Sequence, residues 1–268
     1  MALKDITLGQ YFPGNSFIHQ LDPRTKLLFT VLYIVGLFSA KRLPSYLLLM
    51  AVLAVCIQIS RVRLKTILRG MKPILFIIVL TAILNLFYTP GDPIWQWKFL
   101  KITVEGIWAA IYMVLRISML ITCTFLLTYT TSPILLTDGL EKLLGPLKKL
   151  RVPVHELSMM MSIALRFIPT LIEETDKIMS AQKARGADFD TGNLFQKARA
   201  LVPLLVPLFI SAFRRADELA IAMECRCYHG GEGRTRLRQL IFVRRDYLAL
   251  AGSLFMVAAV YVLRYLGW

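Results

Sequence analysis

The chain has 268 residues, 56% of them apolar and only 18% charged, with a mean hydropathy of +0.59. These figures exclude an ordinary soluble enzyme, a disordered chain and a fibrous repeat, and leave a polytopic membrane protein. The 32 Lys and Arg against 17 Asp and Glu give +15, too much charge for hydrocarbon, so a sizeable part of the chain lies in water or at the interface.

In chain order, the polar start up to Gly14 has no apolar core and no cleavage site, so no cleaved signal peptide is expected. The first apolar run is 27–40, framed by Lys26 and Lys41. It reaches about 21 Å as a helix and spans only if those lysines snorkel. A second run, 43–60, follows the short link Lys41-Arg42-Leu43-Pro44, which implies a hairpin. A third run covers 73–88, a fourth 104–130 with Arg116 inside it, and a last one 247–266. The link 61–72 carries Arg61, Arg63, Lys65, Arg69 and Lys72 without an acid, whereas 89–105 is balanced. The positive-inside rule therefore puts the first link in the cytoplasm and the second outside, with Trp95, Trp97 and Trp108 at the outer interface. Counting back places the N-terminus inside. For Arg116 we expect a bundle-facing guanidinium bonded to carbonyls or hydroxyls.

The stretch 131–246 holds most of the acids and more than half of the bases. A short amphipathic segment, about 133–150, closes with Gly145-Pro146. From Leu157 a 4,3 spacing through Met161, Ala164, Ile168, Leu171, Thr175 and Ile178 marks one apolar stripe on a long helix. Glu173, Glu174 and Asp176 read as a solvated face. After a break at 186–193, a second stripe runs Val202, Leu205, Phe209, Ala212, Ala216, Leu219, Met223, with Pro203 and Pro207 expected to interrupt or kink its front half. Such helices are too charged to span and too apolar to be free in water. A loop at 228–233 leads to Arg234, Arg236, Arg238, Arg244 and Arg245, a basic belt before the last span. The organisation is thus all-α: residues 1–130 with about four spans, 131–246 as an amphipathic region, and 247–268 as a C-terminal span, about five in all.

The two long helices end alike, in Ala184-Arg185-Gly186 and Cys225-Arg226-Cys227. One Arg between two small residues lets a partner approach the backbone while the guanidinium forks into carboxylates or carbonyls. A cation completing the helix dipole, with Gly186 as the residue after the cap, explains one such end but not readily a matched pair. Cys225, Cys227 and His229 lack a fourth ligand and zinc spacing. Met159-Met160-Met161 suits adaptable packing, and Asp22-Pro23 suits an N-cap followed by proline at the first helical position. No GxxxxGK[ST] stretch is present, and no acid lies in the interior of a predicted span, so energy has to come from a partner.

The paired ends resemble the two Ala-Arg-Gly motifs of the T component of energy-coupling-factor transporters, with cysteines flanking the second Arg. His19-Gln20-Leu21-Asp22-Pro23-Arg24-Thr25-Lys26-Leu27 is similar to that family's opening signature, and Ala164-Leu165-Arg166-Phe167-Ile168-Pro169-Thr170-Leu171 to its long-helix segment. The three occur in family order over essentially the whole chain. The resemblance implies a multi-pass subunit of the bacterial cell membrane, N-terminus cytoplasmic, that joins two cytosolic ATP-binding-cassette ATPases to one exchangeable substrate-capturing S component. It implies ATPase docking at Ala184, Arg185, Gly186, Cys225, Arg226 and Cys227, and an S-component face including Leu157, Met161, Leu165, Ile168, Leu205 and Phe209. It implies no catalysis and no cofactor on this chain, with ATP and Mg held by the ATPases, no nucleic acid, and vitamin or micronutrient uptake by the complex rather than the dedicated cobalt or nickel type. Two other readings are a self-sufficient channel or secondary transporter with a midplane solute site, and a membrane-bound lipid enzyme. The second lacks a catalytic cluster, since His19, His155 and His229 are scattered.

Overall fold

The computed structural model describes residues 11–91, 93–97, 100–187, 189, 193–230 and 239–266, excluding the side chains of 93–102, 194, 197 and 198. The side chains of Trp95 and Trp97, and Arg234, Arg236 and Arg238 of the basic belt, lie outside the described residues. Among the described residues there are eight α-helices: α1 (Pro23–Ser39), α2 (Leu43–Ser60), α3 (Leu64–Tyr88), α4 (Val104–Thr130), α5 (Pro133–Leu144), α6 (Val154–Ala184), α7 (Leu194–Glu224) and α8 (Arg244–Tyr265). The only strands among the described residues form a short antiparallel hairpin, β1 (Pro93–Trp97) and β2 (Leu100–Thr103), between α3 and α4. Helices α2, α3, α4 and α8 are long and apolar enough to cross a membrane. Helix α1 has 17 residues, about 26 Å of helix, the short segment that the sequence indicates.

Two compact units divide the chain. Among the described residues, one comprises 11–139 and 240–266 and the other lies within 140–239. In the first, the membrane body, α1 is the central element and packs on α8, α4 and α2. Tyr33, Leu37, Leu49, Met119, Cys123, Met256 and Val260 close its core, and the Tyr33 hydroxyl donates to the Leu49 carbonyl at 3.2 Å. Close approach of α3 and α4 depends on small residues. A Cβ at Gly70 would lie 2.9 Å from Phe125 and from the Tyr129 hydroxyl, and one at Gly106 would lie 2.8 Å from the Leu86 carbonyl.

Three expectations change. Helix α3 starts at Leu64, nine residues before Pro73, so most of the basic link is helical. Proline removes one ladder bond but does not stop a helix whose other turns are paired. For Pro203 and Pro207 the expectation of an interruption gives way: both sit inside a continuous α7. The amphipathic segment after α4 divides into α5 and a 3-10 turn at Gly145–Leu150, closed by Arg151 in the left-handed region (φ 62). Arg116 does face the bundle: its Nε and Nη2 donate to the Tyr46 hydroxyl at 3.1 and 2.6 Å, and Nη2 to the Ala40 carbonyl at 3.4 Å.

The opening signature is a buried polar lock. Asp22 caps α1 by accepting the Arg24 amide at 2.9 Å, ahead of Pro23 at the first helical position. Its own amide donates to the Asp246 carboxylate at 2.8 Å. Lys26 Nζ donates to the Thr130 and His19 carbonyls at 2.9 and 3.2 Å. Arg24 pairs with Asp22 at 2.9 Å, donates to the Leu240 carbonyl at 2.8 Å and lies over the Phe242 ring. Asp22, Lys26 and Asp246 are all buried, so the start of α1, the end of α4 and the start of α8 meet at one end of the body.

Candidate functional site

The second unit is built around α6 and α7, each 31 residues long. Their contacts fix an antiparallel pair. Gln182 Nε2 donates to the Pro203 carbonyl at 3.2 Å, Glu174 bonds Ser211 and pairs with Arg215 at 2.8 Å, and the Tyr228 hydroxyl lies 3.1 Å from the Met159 sulfur. Moving down α6 moves up α7 by nearly the same number of residues, so the C-terminus of each helix sits at opposite ends of the pair. A capping box at the start of α7, with Gln196 Oε1 accepting the Asn193 amide at 3.1 Å, sets where the second helix begins.

Each helix ends in the same hydrogen-bonded device. At the end of α6, the Gly186 amide donates to Lys183 O and the Ala187 amide to Gln182 O, both at 3.0 Å, with Gly186 at φ +87. At the end of α7, the Cys227 amide donates to Glu224 O at 2.9 Å and the Tyr228 amide to Met223 O at 3.1 Å, with Cys227 at φ +53. Both are Schellman motifs, and Arg185 and Arg226 occupy the same position, immediately before the left-handed residue. Departure from glycine in the second triplet therefore leaves the backbone geometry intact. Cys227 adopts a conformation that costs a residue with a Cβ about 1–2 kcal/mol. The Cys227 carbonyl, which only accepts, lies 2.8 Å from His229 Nδ1, so that nitrogen carries the proton.

The residues singled out in the sequence fall into two separated groups and one shared surface. Ala184, Arg185 and Gly186 are exposed at one end, and Cys225, Arg226 and Cys227 are exposed at the other. Neither arginine has a side-chain hydrogen bond or ion pair among the described residues. By helical rise the two ends are roughly 35 Å apart along the pair. Of the apolar set, Leu157, Met161, Leu205 and Phe209 are exposed, with Phe209 at 60%, while Leu165 and Ile168 are half-buried. Val202, Val206, Ile210 and Phe213 extend the uncovered apolar surface along α7.

Glu174 corrects the solvated-face reading. Its carboxylate takes the Ser211 hydroxyl and the Arg215 guanidinium, and these bonds hold it below the ordinary carboxylate range. Glu173 remains exposed. The signal was present in Ser211 and Arg215, one turn apart on the same face of α7, though not in Glu174 itself. Asp246 was also missed, because it follows two arginines and reads as part of the basic belt.

Comparison with known proteins gives one answer. Residues 14–237 match the family profile described as CbiQ, cobalt transport protein. The chain is 53% identical over 263 residues to the energy-coupling factor transporter transmembrane protein EcfT of Ruminiclostridium cellulolyticum, covering 98% of each chain. It is 56% identical to the protein of that name from Clostridium kluyveri, covering 95% of each. To that of Bacillus subtilis it is 47% identical, covering 98% of this chain and 99% of the other.

Proposed function

Because the chain belongs to the family of energy-coupling-factor transporter transmembrane proteins, we propose that it couples ATP hydrolysis on two separate ATPase subunits to movement of a membrane-embedded S component. Arg185 and Arg226 are the docking tips, one for each ATPase. The carrying observation is the matched pair of exposed Schellman ends on opposite extremities of one helix pair. A guanidinium held by a rigid helix end and left without an internal partner is pre-organised to fork into another protein's carboxylates or carbonyls. The separation of the ends favours two partners over one.

The apolar face of α6 and α7 is the second half of the reading. Leu157, Met161, Leu165, Ile168, Leu205 and Phe209 belong to a surface too large and continuous to be left in water, and an S component within the bilayer would cover it. Motion of the ATPases then reaches the S component through two helices tied together by Glu174, Ser211 and Arg215. This chain binds no nucleotide in that scheme; ATP and Mg stay on the partners. The N-terminus is cytoplasmic, and the cargo is a vitamin-type micronutrient chosen by the S component.

The test is co-purification of the ATPases with Arg185→Glu, Arg226→Glu and the double variant. Each single change is expected to weaken one ATPase, by about 2–5 kcal/mol for a desolvated charge that loses its partner, and the double change to release both and abolish uptake. Undiminished assembly of the double variant would overturn the docking assignment. Uptake by the chain alone in liposomes, without ATP, would favour a self-sufficient transporter instead.

A further inference from the structure

We propose that the cavity at the shared end of α2 and α3 binds the phosphate group of an anionic phospholipid. The cavity, about 380 Å³, lies between the α2–α3 link and the segment preceding α1, and its polar lining includes Asn15, Ser16, His19, Arg61, Arg63 and Thr66. Among the described residues, no acid lines it. Arg61 and Arg63 are exposed, and neither has a side-chain partner among the described residues.

Both walls are rigid. Arg61 ends α2 in the left-handed region (φ 57), its amide donating to Gln58 O at 3.3 Å. Ser60 Oγ donates to Ile57 O at 2.7 Å and accepts the Val62 amide at 3.2 Å. Arg63 is the N-cap of α3, with the Thr66 amide on its carbonyl at 2.8 Å. Opposite, the Phe12 amide donates to Tyr129 O at 3.0 Å, and His19 Nε2 lies 3.1 Å from Phe12 O. A carbonyl only accepts, so Nε2 holds the proton and Nδ1 accepts from the Ser16 hydroxyl at 2.7 Å. Burial pushes the imidazole below its ordinary value, so the positive charge in the cavity comes from the two guanidiniums.

What lies beside the cavity selects the ligand. Val55 and Ile59 on α2, and Leu64 and Leu68 on α3, are exposed apolar residues on the same two helices, Leu68 at 63%. Both helices are long and apolar enough to span, so their shared end lies at a membrane surface, where Val55 and Ile59 precede it on the apolar side and Leu64 and Leu68 stand among the cations. Cations and amides followed by bare aliphatic flanks match a phosphate followed by acyl chains. A free phosphate would use the arginines and leave the flanks unused.

The experiment takes the full chain, stripped of lipid in detergent, and follows its melting temperature during titration with phosphatidylglycerol in mixed micelles. Phosphatidylcholine of the same chain length and inorganic phosphate are parallel arms. A saturable rise with phosphatidylglycerol alone is expected. R61Q/R63Q should bind about thirtyfold more weakly, and R63Q about fivefold, from the usual value of one basic residue at an anionic membrane surface. R69Q/K72Q, on the same basic stretch but outside the cavity, should bind like the wild type. If the double variant does not fold, R63Q carries the comparison. Absence of a saturable rise, an equal rise with phosphatidylcholine, reproduction of the rise by inorganic phosphate, or unchanged affinity in the folded cavity variants overturns the proposal.

Discussion

The membrane body and the α6–α7 pair differ in what holds them together. Around α1 the body closes a core in which Tyr33, Leu37, Leu49 and Val260 are fully buried, and a polar lock made of Asp22, Lys26 and Asp246 ties three helix ends. Long as they are, α6 and α7 bury little: Val154 and Ser158 on one, Leu204 on the other. Among the described residues a polar clasp at Glu174 and contacts near both ends join them. The first unit has its own core, whereas the helix pair leaves apolar faces bare and, among the described residues, its two guanidinium tips unpaired, the features on which the proposed docking rests. Sparse burial of this kind predicts that the pair opens more readily than the body, as elements with few buried apolar contacts do.

The sharpest break of this contrast targets the body. Asp246→Ala leaves the Asp22 and Val243 amides without their acceptor, which sits 2.8 and 2.9 Å away, and leaves buried Lys26 with one acid fewer nearby. A loss of about 3 kcal/mol is expected, as for other broken buried charge networks, read as a fall in melting temperature in detergent. Should Asp246→Ala melt like the wild type, the lock contributes nothing.

Next in size is the clasp. Ser211→Ala is expected to cost about 1 kcal/mol, the usual net contribution of one hydrogen bond, detected as faster amide exchange in the middle of α6 and α7 with exchange in α1 unchanged. The clasp also has a pH signature. Glu174 is held below its ordinary value near 4.5, so its contribution is complete above that pH and is lost as pH falls through the lower, folded-state value. Protection in the pair, corrected for the pH dependence of intrinsic exchange, should therefore fall as pH drops below about 4.5 in the wild type, and Glu174→Gln should remove that fall.

Smallest are the helix ends. Gly186→Ala should destabilise the last turn of α6 by about 1 kcal/mol, whereas Cys227→Gly should stabilise the last turn of α7 by about 0.5 kcal/mol, because glycine relieves the left-handed strain and gives back part of the gain as unfolded-chain entropy. Opposite signs from the two substitutions, measured by exchange at residues 182–187 and 223–228, would confirm that the ends are one device built with different residues.

Much of this was legible beforehand because its cause is local. Apolar runs marked α2, α4 and α8, and a 4,3 spacing marked α6 and α7, since burial against hydrocarbon or one packed face leaves its period in the sequence. Asp22-Pro23 announced the start of α1 for the same reason. What escaped depends on distant partners. The five cations of 61–72 read as a link, yet only Arg61 and Arg63 lie in it; α3 begins at Leu64 and carries Lys65, Arg69 and Lys72, with Gly70 letting that turn pack against Phe125 and Tyr129. Glu174 read as solvated until Ser211 and Arg215 were placed opposite it. The hairpin at 93–103 carried no alternation strong enough to outweigh its tryptophans and charges. Equivalence of the two helix ends was visible as small-Arg-small, but the positive φ at Cys227 was not, since a cysteine rarely adopts it.

The bond between Asp22 and Asp246 joins residues 224 positions apart. Ribosomes deliver that many residues in roughly 11–45 s at ordinary elongation rates. Throughout that interval the backbone amide at the head of the first helix waits without its acceptor, although the Asp22 carboxylate is already held by Arg24. The start of α1 is therefore completed only once α8 has emerged, and a chain released before α8 keeps an unsealed start to its first helix for quality-control proteases to find.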